Sequence, residues 1–83
     1  MATPTHEELK HALYAGQADA LALAPGDVFR GAWGHAEMRG IGANRKLLRA
    51  AYTAAFLAVI EQRWPNGVQV DTTDGKICHP DGA

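Results

Sequence analysis

"VFRGAWGHAEMRGIG", residues 28–42, is the stretch whose reading decides the fold. Taken with a period of two, Phe29, Gly31 and Trp33 alternate with Val28, Arg30 and Ala32, as in a strand. Gly34 and His35 then form a tight turn into a second strand over "AEMRGI", residues 36–41. The competing reading starts a helix near His35. Glycines at 31, 34, 40 and 42 weaken the strand reading, because glycine in a strand is entropically costly and has no side chain to pack. The strand reading gives an expected fold class of α+β.

The flanks are easier. Upstream, "TPTHEEL" places Thr5 and Glu8 at the spacing of a capping box, with Pro4 just outside. Leu9, Ala12 and Leu13 follow at helical spacing, so a first helix is expected over 5–15. Gly16 either ends it or is a weak point in a helix that continues to Leu23. "APGD" (24–27) is a turn. Downstream, Asn44 caps a long second helix, "RKLLRAAYTAAFLAVIEQRW" (45–64), and "PNG" stops it. "VQVDTTDGKICH" (68–79) reads as a hairpin with Val68, Val70 and Thr72 on one face. Asp74-Gly75 supplies a type I′ turn and Ile77 returns on the same face. "PDGA" (80–83) is a frayed tail. The expectation is one compact domain over residues 1–83. It has two helices, the second central and long, and a small antiparallel sheet that includes the C-terminal hairpin.

The second helix has two apolar faces. At 100° per residue, Leu48, Tyr52, Phe56, Val59 and Ile60 make a bulky one. Ala50, Ala51, Ala54 and Ala58, with Leu47, make a small one. A helix apolar nearly all round is buried on both sides. The bulky side suits a sheet, and the alanine side admits a closely packed helix, either the first helix or its counterpart in a homodimer. Trp64, at the helix end, is expected in the core.

The start of that helix carries a local contradiction. Arg45, Lys46 and Arg49 crowd its first turns, although the positive end of a helix disfavours cations by roughly 0.3–1 kcal/mol each. Arg45 and Arg49 are also a like-charge pair at i,i+4. Together with Arg39, Gly40 and Gly42 they read as an anion site, in which glycine-loop and helix N–H groups meet convergent cations. Trp33 and Tyr52 are candidate contact aromatics beside it, although a tryptophan in Trp33's place is more often a core residue than a contact. The alternative is that the cations pair inside the fold with Glu7, Glu8, Asp71 or Asp74.

In "RGIGANRKLL" (39–48), Arg39, Gly40 and Gly42 resemble the loop-helix that grips the coenzyme A pyrophosphate in GNAT acetyltransferases, patterned R/Q-x-x-G-x-G/A. The resemblance implies phosphate binding by backbone N–H groups. The spacing from Arg39 is one residue short and the chain is too short for that fold, so membership is not expected. The same stretch is neither a P-loop nor a dinucleotide fingerprint, since Arg45 stands where the third glycine would.

Composition excludes more than it assigns. The chain carries −3 over residues 1–27, +4 over 28–60 and −2 over 61–83, a basic middle between acidic ends with a net charge of −1. That balance is weak for a dedicated nucleic-acid binder. The longest apolar run, residues 50–60, falls well short of the ~20 residues that span a bilayer, so no membrane association is expected. There is no signal peptide pattern, and Cys78 is the single cysteine, which favours a cytoplasmic setting. No metal is expected. His6 and His11 lie roughly 140° apart around a helix, and no paired Cys or His spacing occurs. No cofactor and no enzyme activity are expected either. The chain has no serine, and Cys78 is read as an inert, partly buried thiol.

Three functional readings remain. The first is a small non-catalytic interaction protein that docks on a macromolecular complex, one that processes nucleic acid, and inhibits or modulates it. By size and character it would be like phage-encoded or mobile-element inhibitors such as anti-CRISPR and anti-restriction proteins. The second is a nucleic-acid- or nucleotide-binding module using the basic segment 30–49. The third is a homo-oligomeric structural protein.

Overall fold

The computed structural model describes residues 3–42 and 44–78. Three helices carry the fold: α1 (His6–Ala22), α2 (Gly31–Met38) and α3 (Lys46–Arg63). Among the described residues there is no β-strand, and the expected α+β architecture is corrected to an all-helical one.

The α1 helix starts as its sequence indicates. Glu8 N–H donates to Thr5 Oγ1 at 3.1 Å and Thr5 N–H to Glu8 Oε1 at 3.0 Å, closing the capping box. It does not stop at Gly16 but runs to Ala22. Ala12, Gly16 and Ala20, at i, i+4 and i+8, are its buried stripe. A Cβ built on Gly16 would lie 2.3 Å from the Tyr52 carbonyl oxygen, so this is where α1 and α3 come closest.

The two long helices run parallel. Glu8 of α1 meets Arg45 at one end, Gly16 meets Tyr52 in the middle, and Arg63 of α3 reaches the Ala20 and Leu23 carbonyls at the other. The short α2 returns along α3 in the opposite sense, with His35 stacked on Phe56 and the following Ile41 beside Arg49. The molecule measures 41 × 24 × 17 Å, long in one direction.

The bulky face of α3 forms the core: Leu48, Tyr52, Phe56 and Ile60 are buried and Val59 half-buried. It packs on helices rather than on a sheet. The small residues that permit close approach sit on α1, not on the alanine face of α3. Ala50, Ala54 and Ala58 are exposed, and Ala51 is half-buried. Trp64 is 2% exposed, in the core as expected.

Residues 28–42 are helical in their middle. Gly31, with φ of 75°, opens α2, and Ala32, His35 and Ala36 (i, i+3, i+4) pack inward. The helix ends in a Schellman motif. Gly40 N–H donates to Glu37 O and Ile41 N–H to Ala36 O, each at 3.0 Å, with Gly40 at φ 91°. Of the expected strands only single bridges remain, Val28 with Lys76 and Val70 with Ile77. The hairpin turn is also different. Asp74 has no positive φ, so the turn is not type I′. Instead Gly75 N–H bonds Asp71 O at 2.7 Å, while the Asp71 and Asp74 carboxylates accept from Thr73 N–H and Lys76 N–H. These local Asx turns capture the backbone that a ladder would need. Ile77 still reaches the core, pinned by Ile77 N–H to Asp27 O and Gly26 N–H to Ile77 O. The tail at 80–83 lies outside the described residues.

Candidate interaction surface

The cations of segment 30–49 are distributed rather than gathered. Arg39, just past α2, makes a two-pronged ion pair with Asp19 of α1. Arg45, the residue that opens α3, donates to Glu8 Oε2 at 2.8 Å. Asp19 and Glu8 lie eleven positions apart on α1, about 16 Å along its axis, so these two guanidiniums are anchored at separate places. Arg49 is 5% exposed, donates to Ile41 O at 3.0 Å, and lies 3.5 Å from Glu37. Its Nε has no hydrogen-bond partner. Lys46 is exposed and makes no ion pair among the described residues.

This geometry accounts for Arg45 at the start of α3. The parallel arrangement sets the first turn of α1, with Glu7 and Glu8, beside that start. Glu8 therefore serves the positive end of its own helix and neutralises Arg45 of the next. The Thr5 N–H first and then Arg45 hold the Glu8 carboxyl below its ordinary value. The structure begins α3 at Lys46, with Arg45 as its cap residue and no side-chain cap, where Asn44 is expected from sequence. Gly40 has a structural duty as the residue that ends α2. Gly40, Ile41 and Gly42 line a shallow hollow with Glu37 and Arg49, about 290 Å³ in volume.

The two aromatics part company. Tyr52 is fully buried and donates its hydroxyl to Asp19 Oδ2 at 2.5 Å. Burial, then the Asp19 bond, push its pKa far up. Trp33 is 64% exposed on α2, with the Arg49 guanidinium 4.9 Å from its ring centroid. That cation–π contact holds a large apolar ring on the surface in one place.

Sequence reasoning missed the Asp19 cluster. Asp19 accepts from both Arg39 and Tyr52, with His35 near by. Burial raises its carboxyl, but the Arg39 and Tyr52 bonds outweigh this and hold it below the ordinary value. The signal was present: Asp19 is three residues past Gly16 and one before Ala20, on the face those small residues define. A carboxylate there requires partners. The His35 ring is buried against Phe56 and Phe29, at 4.9 and 5.9 Å, and its Nε2 accepts from Arg30 N–H at 3.4 Å. Burial lowers its pKa more than the Asp19 charge raises it. Asp19, Asp27, His35, Met38 and Arg39 line an open hollow of about 430 Å³.

No group of three or more potential metal-ligating side chains occurs among the described residues. Cys78 is exposed, not partly buried as expected. No helix among the described residues is long and apolar enough to cross a membrane. Comparison with protein families, characterised proteins and solved structures finds no match for this chain.

Proposed function

We propose that this chain is a small, non-catalytic cytoplasmic interaction protein that docks on a macromolecular complex and modulates it, with Trp33 as its anchor. The observation that carries this reading is the Trp33 ring itself, 64% exposed yet seated on a buried arginine. Interface energy concentrates in such aromatic and arginine residues, and a ring already held in place loses little freedom on binding. A protein partner is favoured over nucleic acid, because Arg39, Arg45 and Arg49 already have carboxylates beside them. The comparison with phage-encoded inhibitors, anti-CRISPR and anti-restriction proteins among them, rests on size and lack of catalytic apparatus alone.

The test is capture of partners from host lysate at low and at high salt, with wild type, Trp33→Ala and Arg30→Glu/Lys46→Glu. All three positions are exposed or cap an exposed end, so the fold should persist, as circular dichroism would verify. The expected result is a protein complex retained at high salt and lost with Trp33→Ala. Nucleic acid recovered only at low salt, lost with the charge reversals and indifferent to Trp33→Ala, would overturn the proposal, since phosphate binding falls steeply with salt.

A further inference from the structure

The outward face of α3 is apolar from end to end. Leu47 and Leu57 are 55% and 47% exposed, and Ala50, Ala54 and Ala58 are exposed between and beside them. The charged residues that bracket this stripe are Lys46 at its start and Glu61 at its finish, both exposed. Neither has an ion-pair partner among the described residues. The geometry points to a second copy of this chain as the occupant, packed antiparallel along α3 about a two-fold axis.

Three features of the stripe fit that one occupant. Lys46 and Glu61 are fifteen positions apart, about 22 Å along the axis. A two-fold axis level with Thr53 and Ala54 therefore sets Lys46 of each copy opposite Glu61 of the other. The same operation sets Leu57 opposite Ala50, a large side chain into the gap over a small one, and does so twice by symmetry. At 100° per residue Leu57 and Ala50 share one flank of the stripe, while Leu47 and Ala58 share the other. On that second flank Leu47 stands two residues, about 3 Å along the axis, from the level of Ala58 of the second copy, again a large side chain beside a small one. A parallel pairing would set Lys46 against Lys46 and Leu57 against Leu57. The charge and size pattern is thus self-complementary in the antiparallel sense only.

The surface also continues onto α1. A groove of about 480 Å³ beside the stripe is lined by Leu9, Leu13, Tyr14 and Ala51, with Lys10 at its edge. Leu13 and Tyr14 are 40% and 54% exposed. A stable interface needs about 800 Å² per partner, more than one helix stripe supplies, and this groove extends the contact toward that size. The Trp33 surface is on α2, packed near the opposite side of α3, so the inference is independent of the proposed docking function.

Sedimentation equilibrium or light scattering on the full chain tests it. Wild type should weigh twice the 8.9 kDa of one chain. Lys46→Glu and Glu61→Lys should each weaken the dimer about tenfold, because each converts both symmetric ion pairs into like-charge contacts. The double variant should restore it. Both single changes suit the ends of α3 on which they fall, so neither weakens the helix itself. Leu57→Glu, at an exposed position, should leave a folded monomer by circular dichroism. A wild type that stays at 8.9 kDa up to about 1 mM would overturn the inference. So would a dimer that neither the single charge reversals nor Leu57→Glu disturbs.

Discussion

Gly16 shows how one residue type carries opposite meanings. In sequence it reads as a helix stop, because glycine costs roughly 1 kcal/mol in a helix interior relative to alanine. In the structure it is buried in the middle of α1, and a methyl group there would meet the backbone carbonyl of Tyr52 at 2.3 Å and Phe56 N at 3.2 Å. Backbone cannot rotate away as a side-chain tip can, so α1 and α3 would have to separate. Gly16→Ala gains helix propensity and loses packing along Ala12, Ala20, Tyr52 and Phe56. Overpacking of this kind costs about 1–3 kcal/mol beyond what propensity returns. A chain of this length has only about 4–12 kcal/mol of stability in total. Urea unfolding should therefore show a lower midpoint for Gly16→Ala, and an unchanged or higher one would mean that the helices are not held at this distance. Gly40 is a second glycine with two readings. It fits a phosphate loop by pattern, but its positive φ and the Ile41 to Ala36 bond give it the role of ending α2.

At the scale of elements, the start of α1 and the buried face of α3 were legible and α2 was not. Thr5 and Glu8 announce a capping box by spacing alone, and the bulky stripe from Leu48 to Ile60 announces a buried helix face. The inward face of α2 is Ala32, His35 and Ala36, two methyl groups and an imidazole, too little apolar contrast to set a period. Its eight residues include Gly31 and Gly34, so α2 owes its helicity to packing against α3 rather than to propensity. The parallel pairing of α1 and α3 was likewise invisible in sequence, and it has an electrostatic consequence. Two helix C-termini, each partly negative, lie side by side. Arg63 resolves this: its guanidinium donates to the Ala20 and Leu23 carbonyls at the end of α1 while belonging to the last turn of α3. Replacing it with methionine keeps the aliphatic stem but strands carbonyls that a charged donor now satisfies. Bonds to charged groups contribute about 1.5–3 kcal/mol. Arg63→Met should lower the thermal midpoint accordingly, and Arg63→Lys should recover part of the loss. Equal stability of all three proteins would show that the bridge contributes nothing.

Over the whole molecule, the question left open by residues 28–42 was settled by what the C-terminal segment does. Val70 bridges Ile77, where the expected two-residue turn would have set Thr72 opposite it, because the Asp71 and Asp74 side chains bond locally and the pairing stops at single bridges. With no sheet to cover it, the bulky face of α3 is closed by α1 and α2, and Phe29 and Ile77 fill the remaining end. His35 sits at this junction, touching Phe29 and Phe56 and accepting from Arg30 N–H, with the Asp19 and Arg30 charges acting on it. Its folded-state pKa lies below the unfolded value near 6.5, because burial opposes the charged form. Between those two values the unfolded chain binds the extra proton, so stability falls as the pH is lowered through that window and is insensitive to this group above it. The Asp19 carboxyl, held below 3.8 mainly by Arg39, adds a loss of the same sign only at lower pH. The thermal midpoint should thus decline in two stages on acidification, a first below pH 6.5 and a second below about pH 4. His35→Phe keeps a ring against Phe56 and leaves Arg30 N–H without its acceptor, so it should lower stability at pH 7 while abolishing the first stage. A first stage that persists in His35→Phe would assign the titration to another group.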